Sequence, residues 1–131
     1  MPSFYDIALD ELKTVFSKVS DDEVDKALNL IAKARKIVVF GGGREKLQIM
    51  GFAMRLFHMG LQASVEGDMT TPAVKKGDLF IVTCGPGEIS TALALMNVAK
   101  KAGATILFIT AQPKGKAAKR SEEHTSELQS H

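Results

Sequence analysis

The sequence predicts an α/β protein, a three-layer αβα sandwich built on a parallel sheet. Short, β-branched, nearly continuous apolar runs alternate with amphipathic segments along the chain, as they do where helices bury both faces of the strands. Glycine-rich turns follow two of these runs. Because ligands bind beyond the carboxyl ends of the strands in such sheets, both turns are candidate ligand loops.

Two helices are predicted ahead of the first strand. Apolar residues recur with helical period over residues 5–19 and again over 24–34. Ser20 or Asp21 can cap the second helix, because either side chain accepts hydrogen bonds from first-turn N–H groups. We expect residues 1–35 to pack on the sheet or against a partner subunit.

Four strands and two more helices are predicted over residues 36–110. The strands are expected at 36–40, 61–66, 79–84 and 104–110, and the helices at 47–59 and 89–101. Gly60 and Gly103 follow these helices, where glycine commonly ends a helix. We place the domain at 36–119 and expect it to be incomplete at its C-terminus, with a sheet truncated to about four strands.

The final segment, RSEEHTSELQSH over residues 120–131, breaks this pattern. Leu128 is its only large apolar residue. The apolar residues of the segment therefore follow neither a helical nor a strand period. The segment resembles the translation of a sequencing-library adapter, so we interpret it as a non-native tail. A genuine disordered tail is the alternative.

Composition and charge narrow the classes of function. The net charge of +2 over 131 residues is too small to indicate nucleic-acid binding. No apolar run is long enough to span a bilayer. The single cysteine, Cys84, excludes an internal disulfide and fits a reducing compartment. We therefore expect a cytoplasmic protein without nucleic-acid or membrane partners.

The first candidate loop is the stretch GGGREK. Gly42 and Gly43 permit positive φ and close approach of the backbone to a ligand, and the following helix directs its positive end at the loop. Arg44 adds a planar fork of donors suited to phosphate or carboxylate. A tight turn with a solvated Arg44 is the alternative. A dinucleotide site is weaker, because Lys46 replaces its third glycine, although Glu66 stands where a ribose-binding acid would.

The second candidate loop lies in the stretch TCGPGEIST. Gly85 and Gly87 again follow a strand and precede a helix. Ser90 and Thr91 either donate to an anionic ligand or cap backbone groups. Glu88 has a functional interpretation, in which it orients a sugar or moves a proton, and a structural one, in which it is an acid that suits the first turn of a helix.

Two further side chains have competing interpretations. Cys84 can be read as a nucleophile, but no base lies nearby in the sequence, so a small residue that fills space is favoured. His58 stands near the end of a predicted helix, where a cation suits the dipole. As a general acid or base it would have to reach a site, for example in a neighbouring subunit.

Several linked motifs resemble the sugar isomerase (SIS) domain, and within it the 6-phospho-3-hexuloisomerases. They are FGGGR…GFAMRLFHMG, GDMTTPAVKKGDLFIV, CGPGE and GATILFIT, in the family's order and spacing. The resemblance implies a flavodoxin-like sandwich with five parallel strands, a phosphosugar bound at the strand ends, and homo-oligomers. It also implies isomerisation through an enediolate, without a metal or cofactor.

The chain also departs from the family pattern. Glu45 replaces a serine of the first loop, and Cys84, Pro86 and Ile89 replace hydroxyl residues of the second. The candidate ligand-binding residues are Gly42, Gly43, Arg44, Glu45, Cys84, Gly85, Gly87, Glu88, Ser90 and Thr91. The resemblance places the catalytic base in a C-terminal part that this chain lacks, so the base is unknown, with Glu88 and His58 as candidates.

The sequence therefore predicts a phosphosugar-binding protein that is a fragment of a phosphosugar isomerase. The fragment itself is expected to be inactive. A sugar-sensing SIS module without chemistry is the second hypothesis, which the altered loop hydroxyls favour. An enzyme that binds a nicotinamide dinucleotide is the third.

Overall fold

A computed structural model of the protein describes residues 1–85 and 90–110, together with the backbone of a strand at 125–129. The helices are α1 (Phe4–Ser17), α2 (Asp21–Lys33), α3 (Arg44–His58) and α4 (Ser90–Lys101). The strands are β1 (Ile37–Gly41), β2 (Ala63–Val65), β3 (Leu79–Thr83), β4 (Thr105–Thr110) and β5 (Thr125–Gln129). In the described ranges, none of the helices combines the length and apolar character that crossing a membrane requires.

The strands form one parallel sheet in the order β2-β1-β3-β4-β5. The chain passes from β1 to β2 on one side and then to β3 on the other side of β1. The crevice between the carboxyl ends of β1 and β3 is therefore a topological switch point, where ligands bind in open α/β sheets. Gly41 and Thr83 are paired there, at the ends of the two strands.

The sheet has five strands, whereas the sequence predicts about four. Residues 125–129 pair in parallel with residues 106–110 of β4. The physical reason is that an edge strand presents a row of unpaired N–H and C=O groups, which another extended segment can satisfy through its backbone. The interpretation of 120–131 as a non-native tail stays a prediction, and its other residues lie outside the described ranges.

Two apolar clusters cover the two faces of the sheet. One cluster joins alternate strand residues to Ala92, Met96 and Ala99 of α4. The other joins the intervening strand residues to Ile49, Ala53 and Leu56 of α3 and to Ala27 of α2. Helices therefore lie on both faces, and the predicted αβα sandwich is confirmed.

The two N-terminal helices differ in how they pack. Ser20 caps α2 by accepting a hydrogen bond from the Glu23 N–H at 3.4 Å, and α2 buries Ala27 against the sheet. In contrast, α1 has no buried residue. Its aromatic side chains are largely solvent-exposed, at 89% for Phe4 and 69% for Phe16.

An ion-pair cluster links the amino ends of β1 and β3. The buried Asp78 carboxylate accepts hydrogen bonds from the Arg35 guanidinium at 3.1 and 3.2 Å and from the Lys75 N–H at 2.8 Å, and the Lys36 Nζ lies 3.5 Å away. Burial raises the pKa of this carboxyl, but the hydrogen bonds and the two positive charges outweigh that effect and hold the pKa below its ordinary value. This cluster lies at the end of the sheet away from the glycine loops.

Candidate functional site

The first ligand loop connects β1 directly to α3. The helix begins at Arg44, three residues before the predicted start at Leu47, because Gly43 adopts φ 56° and ψ −129° and turns the chain. Among the described residues no side chain caps this helix end; the Glu45 and Lys46 N–H groups donate to the Gly42 and Gly43 carbonyls at 3.1 and 3.2 Å. The positive end of the helix dipole faces the loop, where it would favour an anion. The Arg44 side chain is exposed and has no hydrogen bond or ion pair with the described residues.

The second ligand loop is described as far as Gly85. The Cys84 N–H donates to the Ile109 carbonyl at 3.0 Å, and the Thr110 hydroxyl lies 3.5 Å from the Gly85 carbonyl oxygen, to which it donates. The side chain of Cys84 is fully buried in the apolar cluster beside α4. Cys84 therefore helps to position the loop by packing and does not present its thiol to solvent.

A direct hydrogen bond joins the two loops. The Glu45 Oε1 accepts from the Gly85 N–H at 2.9 Å across a separation of 40 residues. The sequence shows that Glu45 replaces a serine of the family's first loop, but it gives no sign of this bond. The signal available was positional: Glu45 occupies the first turn of α3, and Gly85 follows the strand that pairs with β1.

A cavity of about 250 Å³ lies between α3 and the ends of β3 and β4. It is lined by Glu45, Gln48, Ile49, Thr83 and Ile109. This is smaller than the roughly 300–1,000 Å³ of ordinary small-molecule sites, so it accommodates part of a ligand. Sequence reasoning missed Gln48, although it stands four residues after Arg44 and therefore shares a face of the helix with it.

The remaining candidate residues are distributed as follows. Ser90 and Thr91 are exposed in the first turn of α4. Gly87 and Glu88 lie outside the described residues. His58 is exposed in the last turn of α3, about 20 Å along the helix from Arg44 at 1.5 Å per residue. The structure does not bring His58 to the loops of its own chain.

Metal and dinucleotide ligands find little support in the geometry. Across residues 1–85 and 90–110, no group of three or more His, Cys, Asp or Glu residues is arranged to hold a metal ion. Glu66, the candidate ribose-binding acid, lines a different groove beside Thr71 and α4. Lys46 is exposed in the first turn of α3, at the position where a dinucleotide fold needs a glycine for close packing.

These features define a parallel αβα sandwich whose two linked loops meet at the switch point of the sheet. Residues 30–129 match the SIS domain, and the chain belongs to this family. The family resemblance drawn from the loop motifs is thereby confirmed.

Within the family, the chain is similar to 3-hexulose-6-phosphate isomerases. It is 36% identical over 110 residues to the protein of that name from Methylomonas aminofaciens, covering 84% of this chain and 61% of the relative. It is 39% identical over 104 residues to the one from Mycobacterium gastri, covering 79% and 52%. The chain thus spans between about half and three fifths of these relatives.

A solved structure agrees with this assignment. A hypothetical protein from Methanococcus jannaschii, whose structure infers a molecular function of 3-hexulose-6-phosphate isomerase, aligns with a TM-score of 0.73 and 32% sequence identity. The alignment covers 81% of this chain and 57% of that one.

Proposed function

We propose that the chain is the sugar-phosphate-binding part of an isomerase of the 3-hexulose-6-phosphate isomerase type. The observation that carries the proposal is the cavity between α3 and the ends of β3 and β4, which is lined by Glu45 next to the first loop and by Thr83 just before the second. The Arg44 guanidinium beside it has no partner in the part of the chain that the structure describes, and such planar cationic groups recognise phosphate. The similarity to relatives of that name supports a ketohexose phosphate as substrate.

The proposed reaction moves a carbonyl between adjacent sugar carbons. A base removes the proton from the carbon next to the carbonyl, and hydrogen-bond donors stabilise the negative charge that develops on oxygen. The positive end of the α3 dipole lies beside the first loop and would favour that negative charge. The base is unassigned: Glu88 lies outside the described residues, and His58 reaches a site only if a neighbouring subunit provides one.

The proposal is tested by binding and by proton exchange. We expect fructose 6-phosphate, used as a probe ketohexose phosphate, to bind the chain saturably in calorimetry and to raise its melting temperature. Exchange of the sugar proton in heavy water, followed by NMR, tests the chemistry. It is measured on a chimera in which residues 1–110 are followed by the C-terminal segment of the Methylomonas aminofaciens relative. Absence of saturable sugar-phosphate binding would contradict the proposal.

A sensing module without chemistry is the second candidate. The observation that favours it is the burial of Cys84, which leaves no side-chain donor where the family has a hydroxyl residue. Saturable binding with no proton exchange in the chimera would support sensing, and exchange would exclude it.

We also propose that the protein forms a homo-oligomer. The apolar stripe of α1 is exposed, and α1 has no buried residue in the single chain. Isolated helices of this length are marginal in water, so a second copy that covers the stripe would stabilise it. A cytoplasmic location is part of the proposal, since a lone buried cysteine fits a reducing compartment.

A further inference from the structure

The Glu45 carboxylate is already hydrogen-bonded to a backbone N–H group of the second loop. The Gly85 N–H donates to the Glu45 Oε1 at 2.9 Å. Gly85 permits this approach, because a Cβ at this position would lie only 3.3 Å from the same oxygen. An incoming ligand therefore meets this amide paired with an anion.

The charge of Glu45 acts where a ligand would lie. Glu45 is half-buried and lines the 250 Å³ cavity. Like charges a few ångströms apart repel each other, and they do so more strongly near a protein surface than in bulk water. A phosphate dianion in contact with Gly85 would therefore be repelled strongly and would have to displace the carboxylate.

The same carboxylate attracts a different part of a sugar phosphate. An ionised carboxylate only accepts hydrogen bonds, and within the described ranges no group donates to the second oxygen of Glu45. Sugar hydroxyls are donors that fit it. The amide of Gln48, on the same wall of the cavity, can both donate to and accept from hydroxyls.

We propose that Glu45 is a specificity-determining residue: it keeps phosphate away from the Gly85 N–H and directs the hydroxyl-bearing carbons of the sugar toward this wall of the cavity. The phosphate then lies on the Arg44 side, where the neighbouring cation has no partner among the described residues. This inference rests on the proposed binding of a sugar phosphate.

A purely structural role for Glu45 makes a different prediction. If the bond only held the two loops together, loss of the carboxylate would make Gly85 more mobile and would weaken the binding of every ligand. If Glu45 excludes phosphate by its charge, loss of the charge strengthens phosphate binding. The two roles therefore predict opposite changes in phosphate affinity.

The decisive variant is Glu45→Gln, which keeps the shape and an acceptor oxygen but removes the charge. Binding of inorganic phosphate and of fructose 6-phosphate is measured by calorimetry on the full chain at low and high salt. We expect Glu45→Gln to bind inorganic phosphate about tenfold more tightly, a change equivalent to about 1.4 kcal/mol. The gain should shrink at high salt, where charges are screened.

Two further variants separate the effect of the Glu45 charge from the effect of its hydrogen bond to Gly85. Glu45→Asp keeps the charge on a shorter side chain, so its phosphate affinity should stay within about twofold of the parent if Coulomb repulsion decides. Glu11→Gln removes the same charge from an exposed position on α1 and should change neither affinity. Melting temperatures of all three variants show whether each one folds.

The outcomes are distinct. An unchanged or weaker phosphate affinity in Glu45→Gln, or a tenfold gain in Glu45→Asp, would overturn the inference. Failure of every variant to bind phosphate would overturn it as well. If the parent chain binds no sugar phosphate while Glu45→Gln gains phosphate affinity, the proposed function fails but the role of Glu45 is supported.

Discussion

Gly41 lies so close to Thr83 that a Cβ added to Gly41 would stand 2.8 Å from the Thr83 Oγ1 and 3.0 Å from the backbone carbon of Glu45. The end of β1 is thus pressed between β3 and the first turn of α3. A glycine is needed here for the approach of backbone to backbone, which sets the distance between the two ligand loops.

Gly41→Ala should destabilise the protein by about 1–3 kcal/mol, because the new methyl group overpacks a site walled partly by backbone. The free energy of unfolding in urea measures this change. Gly51→Ala is the matched control: Gly51 is exposed within α3 and has no atom within 4 Å of an added Cβ. It should stabilise the protein by about 0.5–1 kcal/mol. Equal effects of the two substitutions would contradict the packing shown for Gly41.

Arg44→Gln should weaken the binding of fructose 6-phosphate without affecting the fold. A hydrogen bond to a charged group contributes about 1.5–3 kcal/mol, so the dissociation constant should rise about 10- to 150-fold. Calorimetry measures it. Arg55→Gln removes the same charge from the last turn of the same helix and should leave binding within about twofold. If both variants bind as the parent does, Arg44 is not a ligand residue.

Asp78→Asn should destabilise the protein at neutral pH by about 1–3 kcal/mol, the usual cost of a lost buried hydrogen-bond partner. The Arg35 side chain is 56% exposed, so water solvates the guanidinium that is left behind. Because the pKa of Asp78 is lowered in the folded state, its carboxylate contributes stability above its unfolded pKa. That contribution is lost as the pH falls below about 4.

Urea unfolding at pH 7 and at pH 3 checks the sign of this effect. The difference between the parent and Asp78→Asn should shrink at the lower pH. Asp25→Asn, an exposed position on α2, should show a small difference at both values. A difference for Asp78→Asn that grows on acidification would mean that the folded-state pKa is raised instead.

Leu12→Glu should shift the protein toward the monomer if α1 packs against a second copy. Leu12 lies on the exposed apolar stripe of α1, and a charge buried in an interface is costly. Light scattering at several concentrations measures the oligomeric state. Thr14→Glu, on the opposite face by helical period, should leave assembly unchanged. A parent chain that is already monomeric would exclude the interface.

Much of the fold could be predicted from residue patterns, because the period of apolar residues and the glycine stops are local signals. The strands over 79–84 and 104–110 were placed within one residue of β3 and β4. The start of α3 was placed too late, since GGGREK contains no large apolar residue before Leu47. The backbone geometry of Gly43, which starts the helix at Arg44, is not encoded in any period.

The candidate site was less accessible from the sequence. Both loops were located, because glycines after apolar runs are visible in the letters. The bond between Glu45 and Gly85 depends on β1 and β3 being neighbours, which is a property of the sheet order. The burial of Cys84 similarly depends on α4 packing across the strand ends. Contacts between distant residues of this kind require the topology to be known first.

The residues that flank β3 at its two ends have different roles. Asp78 before its first residue anchors the sheet through its bonds to Arg35, whereas Gly85 beyond its last residue donates its N–H to Glu45 of the cavity wall. The strand between them is wholly apolar up to Thr83 and serves as a rigid spacer. Residues at the loop end can therefore be changed while the ion-pair anchor at the other end is retained, which makes this domain a suitable scaffold for altering its loops.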